Sequence, residues 1–363
     1  MPQFAFLPYF PDDDIDRKIN RVHLFNFAKY GEKYIPNADL RKRIDEYCSL
    51  YVDYMHKRLK TLAIAVIDDN YNFDVLTDEQ AQDLYRYAVA LLFCSVLNNQ
   101  INSVCVSEQF NMAIQPFALN PSKYDYISFE TGSYLRNLNT QSLEMTKFVR
   151  PSFVPSSTFP YRYDSLLMNA FANMADAHNP DDIRYFRVLD WVRYAYFNAD
   201  GYSPESRLVM MATAFEIFFD LPRYKKEDEF ATRLETLLEV DKMPVYGEDG
   251  NTIQTGLNRI TKANALGKDK TNTIYGWWAR DFYDLRSKIV HGVDITNTDI
   301  KNHKGEQHFV IALKMLRFCF YRLLEGKGHV IYKKYSEIPT LENISWEKIY
   351  IEDELREIET LID

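Results

Sequence analysis

Cysteine is scarce: four in 363 residues, at Cys48, Cys94, Cys105 and Cys319. Their spacing matches neither a zinc site nor a disulfide framework, so a reduced cytoplasm with thiols buried as small hydrophobes is expected. Glycine (12) and proline (14) are too few for a collagen-like or low-complexity chain. Long apolar runs are missing as well. The most apolar stretches, residues 88–96 and 208–219, fall well short of the roughly 20 residues a membrane-spanning helix demands. Residues 1–10 lack the basic start and apolar run of a secretory leader. No P-loop, dinucleotide-binding glycine motif or Gly-x-Ser-x-Gly elbow occurs. His303 and His308 stand five apart without cysteines or acids spaced for zinc. Neither a metal nor a cofactor is therefore expected.

What the chain does have is aromatic mass: 26 Tyr and 24 Phe within a 46% hydrophobic composition. That is ample surface for packed cores, and the length suits two domains. The net charge of −9 argues against a general nucleic-acid coat but hides an uneven distribution. Residues 256–334 hold 15 Lys/Arg against 7 Asp/Glu, and residues 335–363 hold 2 against 9. A basic segment between acidic neighbours is suited to meeting phosphate, although a lysine-rich helical surface gives the same count.

The first 163 residues read as a mixed α/β unit. Residues 4–10 and 22–30 look like strands on either side of an acidic turn at 12–16. Leu40, Ile44, Tyr47, Cys48, Tyr51, Val52, Met55 and Leu59 recur at helical spacing. Residues 62–67 read as a buried strand, and Thr77-Asp78-Glu79-Gln80 as a capping box opening a helix to about residue 97. Strands are expected at 112–119 and 126–130. Three prolines in 150–163 place a domain boundary there. Beyond it the pattern is helical: 164–178, 181–198, 204–220, 227–240, 274–291, 304–325 and 346–362. Ser203-Pro204 is a helix start, with the proline at the first helical position. Residues 243–273, with four glycines, read as a long mobile insertion. The expected fold class is α+β overall: a mixed α/β domain at 1–163, an all-α helical bundle at 164–334 and an acidic helix at 335–363.

The chemistry concentrates at the end of the 274–291 helix. Its apolar stripe, Ile274, Trp278, Phe282, Leu285 and Ile289, leaves Arg286 near the edge of the buried face. His291 lies about 140° further round, so a regular helix holds the two apart. Gly292 predicts a left-handed cap after His291, whose relaxation would turn the ring; a two-fold dimer would instead bring two pairs together. A guanidinium can grip a phosphate with two hydrogen bonds, and an imidazole can move the ribose 2′-hydroxyl proton.

The run Arg286-Ser287-Lys288-Ile289-Val290-His291-Gly292 resembles the R-polar-x-x-x-H signature of the HEPN superfamily. Tyr283, the Ile-Val pair and the final glycine resemble its Apea-like branch, found in bacterial defence proteins. The 208–220 helix with Glu216 resembles that branch's first core helix, and 304–325 its last. The likeness spans roughly residues 181–328. It implies a helical bundle that forms a homodimer and acts as a metal-independent endoribonuclease in antiphage, abortive-infection defence. Such a protein would work in the cytoplasm, away from any membrane, under a phage-derived trigger or an inhibitory partner, and would leave a 2′,3′-cyclic phosphate. On this resemblance Arg286 polarises phosphate, His291 does acid/base work and Ser287 orients either group. Glu216, Tyr283 and Asp284 stand behind them; Glu216 either pairs with Arg286 or bonds to backbone. Arg223, Lys225, Lys226 and Lys288 are RNA contacts or solvated surface. The alternatives are a non-catalytic RNA- or protein-binding module, in a defence or toxin–antitoxin complex, and a dimerising scaffold.

Overall fold

The computed structural model describes residues 2–10, 12, 14–49, 51–52, 57–59, 62–96, 112–116, 148–149, 163–196, 202–246, 252–264, 266–302, 304–329 and 358–362. It is mixed helix and sheet, in two compact units. One comprises Met1–Asp182 with Tyr196–Asn198, the other Ile183–Ala195 with Ala199–Asp363. The division falls a helix later than the proline-rich 150–163 segment, because the helix after that segment packs on the first unit. The expected strand at 126–130 and most of the 335–363 helix lie outside the described residues.

In the first unit, β1 (Gln3–Leu7), β2 (Asp16–Ile19), β3 (Val22–Asn26), β5 (Ala63–Ile67) and β6 (Ala113–Pro116) form an antiparallel sheet in the order β2-β3-β5-β1-β6. Alternation sends Phe4, Phe6, Phe25, Ile64 and Val66 into one core with Leu40, Ile44 and Tyr47 of α2 (Ala38–Cys48). In the chain, α1 (Phe27–Tyr34) follows β3 directly and precedes α2. The 22–30 strand expectation is corrected here: Asn26 accepts from the Lys29 N–H and starts a helix. The α2 pattern also stops early, at Cys48, and Tyr51–Val52 (β4) pairs in parallel with Phe148–Val149 (β7). The capping box forms as expected. The Gln80 N–H donates to Thr77 Oγ1 (3.1 Å) and the Thr77 N–H to Gln80 Oε1 (3.0 Å) at the start of α3 (Asp78–Val96). Helix α3 packs on β5 and on α4 (Ser165–Asp176). Cys48, Cys94 and Cys319 are buried; burial pushes the Cys48 and Cys319 thiols up.

From α5 (Pro180–Tyr196) onward the chain builds the second unit around α6 (Pro204–Phe218), α7 (Lys226–Leu238), α8 (Ile274–Val290) and α9 (His308–Gly326). Ser203 caps α6 through the Ser206 N–H, with Pro204 inside the first turn. Phe215, Phe230, Trp278 and Phe282 meet in edge-to-face, tilted and stacked pairs in its core. The all-α expectation is corrected: residues 243–273 hold two antiparallel ladders. One joins β8 (Pro244–Tyr246) to β9 (Thr252–Thr255), the other β10 (Ile260–Ala263) to β11 (Asp269–Asn272). Every residue of β10 is exposed, so no buried face marks it in the sequence.

One buried carboxylate sets the start of α8. Glu235, 7% exposed, accepts from the Thr273 N–H (2.6 Å) and hydroxyl (2.8 Å) and from Arg259 (2.9 Å). Gly276 permits this, since a methyl there would overlap the Glu235 carboxylate. Further along, buried Arg280 holds Asn272, Glu227 and Asp228 at 2.7–2.8 Å. Each charge has the partners that burial requires.

Candidate functional site

Tyr283 and Arg286 lie three apart on α8 and so share a face, which is turned toward α6. Both reach Glu216. The Tyr283 hydroxyl donates to its Oε1 at 2.8 Å, and Arg286 Nη2 lies 3.1 Å from the same atom. Lys226, opening α7, pairs with Oε2. The Glu216, Lys226 and Arg286 side chains are 16%, 24% and 22% exposed, so three helices converge on one half-buried carboxylate. Of the two roles left open for Glu216, the pairing with Arg286 is the one realised. Burial first, and the Glu216 carboxylate second, push the Tyr283 phenol up, so it stays a protonated donor. The Arg286 guanidinium also lies 5.6 Å from the Tyr283 ring centroid. Its Nε is buried with no hydrogen-bond partner among the described residues. Oriented by Glu216 and Tyr283, the group keeps unused donor capacity.

His291 sits apart from this cluster. It is the exposed C-cap of α8, with its N–H on the Ser287 carbonyl at 3.0 Å. The last turn is therefore regular and does not relax to swing the ring toward Arg286. Gly292 follows at φ +72°, with its N–H on the Ile289 carbonyl and that of Val293 on Lys288. This is the left-handed cap the glycine predicts. Among the described residues nothing bonds the imidazole, and nothing bonds the half-buried Ser287 hydroxyl. Asp284 pairs with Lys288 at 2.7 Å, one turn on, which raises the lysine pKa and takes part of its charge out of play. Arg223 and Lys225 are exposed in the α6–α7 turn and meet no carboxylate among the described residues.

The sequence reading missed two polar centres. Lys226, by sequence an RNA contact or solvated surface, has its ammonium on Glu216; its position at the first residue of α7 is the usable signal. In the first unit, buried His23 bridges Asp16 (2.9 Å) and the Tyr71 hydroxyl (2.8 Å), with Tyr34 also on Asp16. A histidine inside the apolar run Val22-His23-Leu24-Phe25 signals such partners. Of the histidines set aside for zinc, His303 lies outside the described residues. His308 is buried beside Phe282, and burial brings it down to about 4. Among the described residues no group of side chains is arranged to hold a metal, and no helix is long and apolar enough to cross a membrane. The chain matches no family model, no curated protein and no solved structure.

Proposed function

We propose that the chain is a metal-independent endoribonuclease of the HEPN kind, with Arg286 and His291 as its reacting pair. The observation that carries this is Arg286: partly exposed and aimed by Glu216 and Tyr283. Such a group can hold a scissile phosphate in two hydrogen bonds and stabilise the charge that grows on its oxygens. The ribose 2′-oxygen attacks phosphorus, and its proton passes to an imidazole. The bond to the 5′-oxygen breaks, and that oxygen takes a proton from an imidazolium. The products are a 2′,3′-cyclic phosphate and a 5′-hydroxyl. DNA lacks the attacking hydroxyl. One chain offers one imidazole at this place, set far round α8 from Arg286. A homodimer that pairs two copies supplies the acid, the base and the guanidinium together. The second unit is then the HEPN-like bundle and nuclease. The first unit senses a phage-derived trigger or holds the activity in check in the cytoplasm, as abortive-infection defence requires.

A second reading has its own support: Arg286 already pairs with Glu216, and within one chain nothing joins it to His291. That arrangement suits a non-catalytic RNA- or protein-binding module, or a scaffold. Incubating the full chain with mixed RNA in chelator separates the readings. The nuclease reading expects fragments ending in 2′,3′-cyclic phosphate, and a rate lowered about 10²- to 10⁴-fold in His291→Ala at unchanged helix content. Intact RNA in the wild-type reaction would leave only the binding readings.

A further inference from the structure

The turn joining α6 to α7 carries a side chain that the nuclease pair does not use. Tyr224 is 83% exposed, more than any other large hydrophobic side chain among the described residues. The turn is braced from below: Arg233 Nη1 donates to the carbonyls of Phe219 and Asp220 at 2.5 and 3.1 Å. Left-handed backbone at Asp220 (φ +49°) and Lys225 (φ +56°) brackets the loop and projects its middle outward. The neighbours of Tyr224 are the exposed cations Arg223 and Lys225. They differ from Lys226, Arg233, Arg259 and Arg280, each of which meets a carboxylate. Leaving a full aromatic face in water forfeits the free energy its burial would supply. An aromatic between two unpaired cations on a braced turn is the arrangement that takes a base on the ring and phosphates on either side. The turn also adjoins the guanidinium site: Lys226, two residues on, shares the Glu216 carboxylate with Arg286.

We infer that Tyr224 is a stacking platform for one unpaired nucleobase, with Arg223 and Lys225 on the adjoining phosphates, so that the strand brought to Arg286 is single-stranded RNA. This rests on the ribonuclease reading for its substrate, and it adds what that reading leaves open: the strand state and the residue that selects it. Bases inside a duplex have no free face, so paired RNA gains nothing from the ring.

The test uses the full chain and a labelled, 2′-O-methylated oligonucleotide, which lacks the free attacking hydroxyl and so isolates binding. Fluorescence anisotropy compares wild type, Tyr224→Ala and Tyr224→Phe on the single strand and on the same sequence as a duplex. Cleavage of unmodified RNA is followed in parallel. Tyr224→Ala is expected to weaken single-strand binding roughly 5- to 100-fold, Tyr224→Phe to hold near wild type, and duplex binding to change little. Single-strand affinity unchanged in Tyr224→Ala, an equal loss on the duplex, or no wild-type binding at all would each overturn the assignment. Binding that depends on Tyr224 without any wild-type cleavage upholds the platform and removes the nuclease. Cleavage with binding indifferent to Tyr224 does the reverse.

Discussion

Two side chains, half-buried Glu216 and buried His308, show how a single group's surroundings decide what it can do. Glu216 gathers a phenol, a guanidinium and an ammonium from two other helices, and their convergence explains why a carboxylate sits among the apolar residues of α6. Sequence spacing placed Arg286 near the buried edge of its helix and left the pairing with Glu216 as one of two alternatives, which the packing of α8 on α6 then decides. It could not name Lys226, whose direction depends on the turn before it. His308 answers to burial alone. With a folded value of about 4 against an ordinary 6.5, it stays neutral in the fold while the unfolded chain takes up a proton. The unfolded state therefore binds more protons between those values, and stability falls as pH drops from 6.5 toward 4. Denaturant midpoints at pH 7 and pH 5 should show a loss of about 2 kcal/mol from this residue. A His308→Leu chain should lack that share of the pH dependence.

Elements were legible where local rules carried them and obscure where partners did. Caps at Thr77, Ser203 and Gly292 needed only neighbouring residues, and all three formed. The edge strand β2 reads Asp-Arg-Lys-Ile, with no apolar alternation, because it pairs on one side only, with β3, and most of its side chains meet water or polar partners. The β10–β11 ladder is hidden for the same reason. Gly276 inside α8 and Gly292 just past its C-cap make a contrast that experiment can read. Gly276 is needed for space: Gly276→Ala drives a methyl into the buried Glu235 carboxylate and should cost about 3 kcal/mol in thermal or chemical unfolding. Gly292 is needed for its backbone angle, with open space around it, and Gly292→Ala should cost about 1 kcal/mol.

At the scale of the molecule, two compact units were foreseeable from length and aromatic content, whereas their division was not. Prolines mark where chain breaks are cheap, but packing of α4 on α3 assigns that helix to the first unit. The proposed dimer has a readout of its own. The proposed cleft takes an imidazole from each copy, so a dimer with one His291→Ala chain lacks either the acid or the base. Random exchange with an equal amount of His291→Ala chain leaves roughly a quarter of the dimers wholly wild type, so cleavage should fall to about half that of the same wild type alone. The manner in which α8 is fastened bears on both groups. It is tied at Thr273 by Glu235, midway at Arg280 by two acids of α7, and near its end by Glu216. Beyond that last tie, Val290, His291 and Gly292 overhang in water. The helix is a cantilever with Arg286 at its final support and His291 on the exposed tip, so in the proposed reaction the guanidinium would be the firmly held group and the imidazole the one that a second copy can approach.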